Sequence, residues 1–197
     1  MPVKQLLILR HAKSSWDDPA LADFDRPLAP RGLKTAPLIG RELARRGWLP
    51  DLALVSPALR ARDTWRLVAQ ELPKHVQAEF AEELYEAAPA TILARVRQVK
   101  ATNLLVIGHN PGLQQLVLRL AGAGSDESVV KKIETKFPTA ALARFTVKGD
   151  WANLDFGGAR LTHFVRPRDL EQTPKLPISR RKRRRRSKPA AFGDPET

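Results

Sequence analysis

The chain has 197 residues and a formal net charge of +13, a length that suits one domain with a substantial hydrophobic core. It contains no cysteine, which excludes disulfides, thiolate metal sites, and the phosphatases and proteases that use a cysteine nucleophile. The sequence has no run of about 18 apolar residues, so no membrane span is predicted. The first residues lack the pattern of a signal peptide, and a cytoplasmic location is therefore expected.

The positive charge is unevenly distributed along the chain. From Arg180 to Thr197 there are eight Lys or Arg and two Asp or Glu, so this segment carries +6 and the preceding residues carry +7. A basic body suits an acidic substrate. The dense run from Arg180 to Arg186 suits a polyanion, such as nucleic acid, an acidic protein or a membrane surface.

Short apolar runs alternate with helical patterns through the first two thirds of the chain. Strands are predicted at 6–9, 52–55, 76–79 and 104–107. Helices are predicted at 30–46, 57–71, 89–99 and 111–120, each beginning near a proline. Ser56 and Asn110 are predicted to cap two of these helices, and Pro37 is expected to kink the first helix or delay its start.

The pattern changes after residue 138. Segments 141–147 and 151–156 alternate around a turn at 148–150, and 161–165 is a further candidate strand. The order predicts an α/β fold, a three-layer α/β/α arrangement whose mostly parallel central sheet has antiparallel edge strands near the C-terminus. Residues 1–166 are predicted to form one domain, and residues 167–197, which are rich in proline and basic residues, a disordered tail.

Two histidines each lie two residues beyond the end of a predicted strand. His11 comes after 6–9, and His109 comes after 104–107. Ligands of open α/β sheets bind outside the carboxyl ends of the strands, so the two side chains would meet there if their strands are neighbours. From position alone, a shared site and two unrelated histidines at strand ends are equal alternatives. His75 and His163 are expected to lie outside any site.

Three arginines favour an anion site at this sheet edge. Arg10 adjoins His11, Arg26 lies in the loop before the first helix, and Arg60 lies in the first turn of another helix, where free N–H groups attract anions. Arginine binds phosphate oxygens through a planar fork, although a solvated surface position is the alternative for each one.

Other phosphate chemistries lack their motifs. The chain has no Walker loop, no dinucleotide fingerprint, no serine nucleophile elbow and no histidine–carboxylate cluster at metal-ligand spacing. The string from Asp23 to Asp25 follows no apolar strand and is interpreted as a loop. Histidine remains as a candidate nucleophile.

Four motifs carry a resemblance to a known family. They are LRHAKS at 9–14, DRPL at 25–28, SPALRA at 56–61 and GHNP at 108–111. In this order the sequence resembles the histidine phosphatase superfamily over residues 3–165, and most closely the short SixA-type phosphohistidine phosphatases.

The resemblance implies a mechanism and a set of site residues. His11 would attack phosphorus and become phosphohistidine, while Arg10, Arg26 and Arg60 would hold the phosphoryl oxygens and His109 would donate a hydrogen bond to them. No metal or cofactor is implied, because the arginines supply the positive charge. Glu83 is the best positional match for the general acid of larger family members, and the alternatives are Glu82, Glu86 or no dedicated acid.

The sequence leaves three alternative functions open. A protein phosphohistidine is expected from the SixA resemblance and from the lack of a long insertion that would close the pocket. A small-metabolite phosphomonoesterase of the same fold is the near alternative. The third is a non-catalytic phosphate- or polyanion-binding protein that uses the run from Arg180 to Arg186.

Overall fold

The computed structural model describes residues 3–171, and a six-stranded sheet forms its centre. The strands are β1 (Val3–Arg10), β2 (Leu52–Val55), β3 (Gln77–Phe80), β4 (Asn103–Gly108), β5 (Leu142–Lys148) and β6 (Ala159–Val165), in the spatial order β3-β2-β4-β1-β5-β6. Strands β3, β2, β4 and β1 run parallel, β5 is antiparallel to β1, and β6 is antiparallel to β5. The predicted mixed sheet with late antiparallel strands is confirmed.

Within residues 3–171, five α-helices and three short 3-10 segments lie between the strands, and a sixth helix follows the last strand. The helices are α1 (Pro30–Arg46), α2 (Leu59–Ala69), α3 (Pro89–Arg97), α4 (Gly112–Leu120), α5 (Glu127–Thr135) and α6 (Pro167–Glu171). The 3-10 segments are Asp23–Asp25, Glu82–Leu84 and Trp151–Asn153. No helix within residues 3–171 is both long enough and apolar enough to cross a membrane.

Two hydrophobic clusters, one on each face of the sheet, hold the layers together. Because side chains alternate along a strand, Leu7 and Leu9 of β1 pack against α1 and α2, while Leu6 and Ile8 pack against α3, α4 and α5. All four β1 side chains are fully buried. A strand that is covered on both faces has an unbroken apolar sequence, which is the pattern that predicted it.

Pro37 lies inside α1 and does not end it, because the helix continues from Pro30 to Arg46. Proline removes only its own N–H from the helical ladder, and the apolar face of α1 that includes Ile39 and Leu43 remains packed on the sheet. The predicted bounds of this helix are therefore correct, and of the two alternatives predicted for Pro37, a kink or a delayed start, the delayed start is wrong.

The segment predicted as a strand at 151–156 is a 3-10 turn instead. Trp151 is almost completely buried, and its indole Nε1 donates to the Ala101 carbonyl at 2.6 Å. The large apolar side chains Trp151 and Leu154 are both buried here without strand pairing, and β6 is the partner of β5. Helix α5 was not predicted; Asp126 caps it by accepting from the backbone N–H groups of Ser128 and Val129.

Regular structure extends five residues into the segment predicted as a disordered tail. Within α6, Pro167 is buried, and Leu170 packs against the hydrophobic cluster on the face of the sheet that α1 and α2 cover. Arg166, which precedes the helix, forms a bidentate ion pair with Asp169. These contacts correct the prediction for Pro167–Glu171. The remainder of the predicted tail, including Arg180 to Arg186, lies outside the described residues, and the division into domain and tail stays a prediction.

Candidate active site

The two motif histidines meet at the carboxyl edge of the sheet. Strands β1 and β4 are parallel neighbours with Arg10 opposite Gly108, so the residues that follow, His11 and His109, lie side by side. Their ring centroids are 5.0 Å apart, with an angle of 50° between the ring planes. Both side chains are buried, with 7% and 5% of their surface exposed.

Within residues 3–171, the hydrogen bonds of the His11 ring involve only one of its two nitrogens. Its Nδ1 lies 2.7 Å from the Ala12 carbonyl oxygen, which can only accept, so Nδ1 carries the hydrogen and Nε2 carries the lone pair. Burial lowers the pKa of His11 to about 3, against the opposing effect of the bond to Ala12. The positive charges of Arg60 and Arg10 also lower the pKa. The imidazole is therefore neutral at neutral pH, as a nucleophile requires.

Backbone contacts from three segments fix the position of His11. Its N–H donates to Gly108 at 3.1 Å, and its carbonyl accepts from the N–H of Ala140 at 3.1 Å. The next N–H, of Ala12, donates to the Thr64 hydroxyl of α2 at 3.0 Å. The candidate nucleophile is thus held by β4, by the entry to β5 and by α2.

His109 is oriented by Ser56 at the end of β2. The Ser56 Oγ lies 2.7 Å from Nε2 of His109, while Nδ1 is buried with no hydrogen-bond partner among residues 3–171. Burial lowers the pKa of His109 to about 4, with Arg60 acting in the same direction. In the neutral ring, a hydroxyl that donates to Nε2 leaves Nδ1–H as a donor for a ligand. Ser56 does not cap α2, whose cap is Ala58.

The guanidinium of Arg10 is hydrogen-bonded through one of its nitrogens and has a second, buried donor without a partner among residues 3–171. Its Nη1 donates to the Phe137 carbonyl at 3.0 Å, and its Nε is buried with no partner in the described part of the chain. Asn110 donates to the same carbonyl at 3.0 Å and to Gln114 at 3.1 Å, so it anchors this loop and does not cap α4. Burial lowers the pKa of Arg10, with the charge of Arg60 as a second cause.

Asp23 forms ion pairs with the other two arginines, Arg26 and Arg60. Its Oδ2 accepts from Arg60 Nη2 at 2.7 Å, its Oδ1 accepts from Arg26 Nη1 at 3.1 Å, and its backbone carbonyl accepts from Arg60 Nη1. Tyr85 donates its hydroxyl to Oδ2 at 2.9 Å. Partial burial raises the pKa of Asp23, but the bonds from Tyr85 and Arg60 outweigh it and hold the pKa below its usual range.

Arg26 enters the cluster through Asp23 and through the preceding loop. Its Nε and Nη2 donate to the Ser15 carbonyl at 2.9 and 2.7 Å, and Nη2 also donates to the Ser14 hydroxyl at 3.2 Å. The exposed ring of Trp16 covers the guanidinium, with 3.1 Å between the Arg26 Cζ and the ring centroid. Arg26 therefore has fewer N–H groups left for a ligand than Arg10 has.

The predicted general acid lies elsewhere. The Glu83 carboxylate pairs with Nε of Arg95 at 3.2 Å, and Arg95 also binds Glu79. Glu82 borders the same exposed surface, and Glu86 is exposed with a φ of +49°. Within residues 3–171, none of the three candidate acids bonds to the histidines or to the three arginines. Asp23 supplies the carboxylate that bonds to two of these arginines, Arg26 and Arg60.

Sequence reasoning missed Asp23, Tyr85 and the role of Ser56. The sequence predicts Asp23 as a loop residue because it follows no strand. No sequence motif indicates a role for Tyr85, which lies close to Glu83 in the chain. Ser56 is predicted as a helix cap because it precedes a proline, and nothing in the local sequence indicates its contact with His109. All three act through contacts between segments more than 30 residues apart in the chain. The described residues hold no cluster of three or more potential metal ligands.

Comparison with known proteins identifies the class. Residues 6–92 match the family model of the histidine phosphatase superfamily (branch 1). A solved structure named as a candidate phosphohistidine phosphatase SixA from Nakamurella multipartitia is 30% identical, with a TM-score of 0.73, and the match covers 85% of this chain and 98% of that one. The protein histidine phosphatase SixA complexed with tungstate is 27% identical, with a TM-score of 0.69 and coverage of 84% and 99%.

The chain belongs to the histidine phosphatase superfamily and is similar to its SixA-type members. An uncharacterized protein of Mycobacterium tuberculosis is 42% identical over 169 residues, which are 81% of this chain and all of that protein. The resemblance drawn from four short motifs is confirmed. An α-ribazole-5'-phosphate phosphatase candidate from Escherichia coli, 18% identical with a TM-score of 0.57, shows the shared fold alone.

Proposed function

We propose that this phosphatase works through a phosphohistidine intermediate on His11 and that its substrate is phosphohistidine on another protein. In the first step the lone pair on Nε2 of His11 attacks phosphorus, and the bond from phosphorus to the leaving group breaks with its electron pair on the leaving group. In the second step water attacks the same phosphorus, and the P–Nε2 bond breaks to release phosphate and restore neutral His11.

The unused donors of the site fit a phosphoryl group. The Nε of Arg10 and the Nδ1 of His109 are both buried and have no partner among residues 3–171. Both donors would bind phosphoryl oxygens, and charge that builds on these oxygens in the transition state would be stabilised by Arg10 and Arg60. That a similar SixA protein was solved in complex with tungstate, an oxyanion, supports anion binding by a protein of this type. Arg26 would act through Asp23, by keeping Arg60 in position.

The state of Asp23 is the observation that favours phosphohistidine as substrate. Among residues 3–171, this carboxyl is the one that pairs with Arg26 and Arg60, and its lowered pKa keeps it ionised at neutral pH, so it cannot donate a proton. Glu83 pairs with Arg95 outside the cluster. A site with no protonated carboxylic acid among residues 3–171 suits a leaving group that needs little protonation, such as an imidazole or the carboxylate of an acyl phosphate, better than an alkoxide.

The test compares leaving groups. We expect phosphoramidate and a phosphohistidine peptide to be hydrolysed with a kcat/KM about 100-fold or more above that of an alkyl phosphate such as glycerol phosphate, because general acid catalysis is worth about 10²–10⁴-fold. The variant H11A should hydrolyse none of them. Equal rates on alkyl phosphates would instead support the metabolite phosphomonoesterase, and would require an acid other than Glu83.

Two further expectations belong to this proposal, the cytoplasmic location and a polyanion contact through the run from Arg180 to Arg186. The contact is tested by a chain that ends at Glu171, compared with the full chain for binding to a DNA oligonucleotide across salt concentrations. We expect the shorter chain to lose salt-dependent binding and to keep phosphatase activity. Absence of phosphatase activity from both chains, with DNA binding lost in the shorter one, would favour the non-catalytic alternative, in which the basic run is the functional element.

A further inference from the structure

A strongly basic cavity of about 610 Å³ adjoins the candidate active site. It shares Arg10 with that site, so a ligand could reach from the phosphoryl group into the cavity. Seven of its twelve lining residues are Lys or Arg, and none is Asp or Glu. The histidine phosphatase mechanism uses Arg10 and leaves the other six positive charges without a role.

Four of these six charges have no acidic partner in the described part of the chain. Lys13 follows the nucleophile loop and Arg31 lies in the first turn of α1, while Lys132 and Lys136 lie in and just after the last turn of α5. All four side chains are exposed, and none forms an ion pair with another residue between 3 and 171.

The remaining two charges lie where β6 passes into α6. Arg166 is neutralised in part by its bidentate pair with Asp169, whose oxygens are 2.9 Å from its Nε and Nη2. Arg168 lies 4.0 Å from the same carboxylate. Asp169 does not line the cavity. The cavity therefore keeps a net positive charge after this pairing is counted.

The lining favours a flexible chain of carboxylates over a compact ligand with a ring. Its apolar members are Pro138 and Pro167, and no aromatic side chain offers a surface on which a base could stack. The lysine ammonium groups are hydrated point charges on long flexible stems, and they come from separate segments. Such a distribution matches several carboxylates spaced along a peptide better than the clustered oxygens of a small polyphosphate.

We propose that this cavity binds an acidic segment of the phosphoprotein substrate next to its phosphohistidine, and so selects substrates by charge. This inference rests on the proposed function and names the class of substrate. Steering by a charged surface raises association rates about tenfold or more, and salt screens it.

The experiment uses two synthetic peptides of one sequence, each with a single phosphohistidine, flanked by four glutamates in one and four glutamines in the other. For the full chain we expect kcat/KM to be about tenfold higher for the glutamate peptide at about 0.05 M salt, and this preference to shrink toward about 0.5 M. The variant K132E/K136E should lose the preference. The matched control K100E/K148E changes the charge equally at exposed positions outside the cavity and should keep it.

Binding of the same peptides without phosphate, measured by fluorescence anisotropy, separates the cavity from the chemistry. Hydrolysis of both peptides at equal rates would overturn the acidic-segment proposal and leave the proposed function standing. If neither peptide is hydrolysed but the glutamate peptide binds the full chain and not K132E/K136E, the proposed function fails and the cavity assignment stands. If inorganic tripolyphosphate binds in a way that K132E/K136E abolishes while neither peptide binds, the cavity takes small polyanions and the proposal is overturned.

Discussion

The buried, neutral state of His11 makes the stability of the protein depend on pH in a defined direction. The pKa of this histidine is about 3 in the folded chain, against 6.5 as its ordinary value. Below pH 6.5 the unfolded chain therefore binds a proton at this position that the folded chain does not bind. Because the unfolded state gains protons, the free energy of unfolding falls as the pH falls through this window.

The size of the effect follows from the two pKa values. Between about pH 7.5 and about pH 5, His11 alone should reduce the free energy of unfolding by about 2 kcal/mol. The window ends above the range in which most carboxylates of the unfolded chain titrate, so histidines dominate it. His109, with a pKa of about 4, should contribute a loss of similar size.

The assay is urea unfolding at constant ionic strength, followed by the fluorescence of the four tryptophans. The variant H11N keeps an amide N–H that can donate to the Ala12 carbonyl, as Nδ1 does in the wild type. We expect the difference in unfolding free energy between wild type and H11N to change by about 2 kcal/mol across the window. Parallel curves would refute the reasoning, because they would mean that folded His11 takes up a proton as readily as the unfolded chain.

Further substitutions probe the site and its frame, with p-nitrophenyl phosphate as substrate. S56A should lower kcat about tenfold, because His109 loses the partner that sets which ring nitrogen carries the hydrogen; an unchanged kcat would remove Ser56 from the site. E83Q should keep kcat/KM within about twofold, since its carboxylate pairs with Arg95, whereas D23N should lower it about tenfold by misorienting Arg60; the reverse order would restore Glu83 as the acid. G32A should cost about 1–3 kcal/mol in urea unfolding, because its Cβ would overlap the Lys13 carbonyl, and a neutral result would contradict that close packing.

The sheet and the histidine pair were predictable because strong local signals carry them. Apolar runs such as 6–9 and 104–107 have few alternatives to buried strands, and the rule for the carboxyl ends of parallel strands then places His11 and His109 at one edge. Helix α1 was predicted to its last residue, since its apolar face repeats clearly on both sides of Pro37. The strand at 76–79 was displaced by one residue, which is a typical error at element boundaries.

The rest depends on contacts that no local pattern encodes. The bond between Ser56 and His109 exists because β2 and β4 are neighbours, and the link from Asp23 to Arg60 exists because the loop before α1 lies against α2. Trp151 and Leu154 are buried in a turn and give the sequence an apolar pattern like that of a strand, and α6 packs Leu170 on a distant cluster. The predicted acid, Glu83, was chosen by sequence position, whereas the structure pairs its charge with Arg95.

The phosphorylated form of His11 is the central claim, and mass spectrometry tests it most directly. The full chain is mixed briefly with phosphoramidate, quenched at alkaline pH to preserve phosphohistidine, and analysed intact and after digestion beside H11A and H75A, the second of which removes an exposed histidine. The account predicts one added phosphoryl group on His11 in the wild type and in H75A, and none in H11A. An adduct on another residue, or turnover of phosphoramidate by H11A, would contradict it.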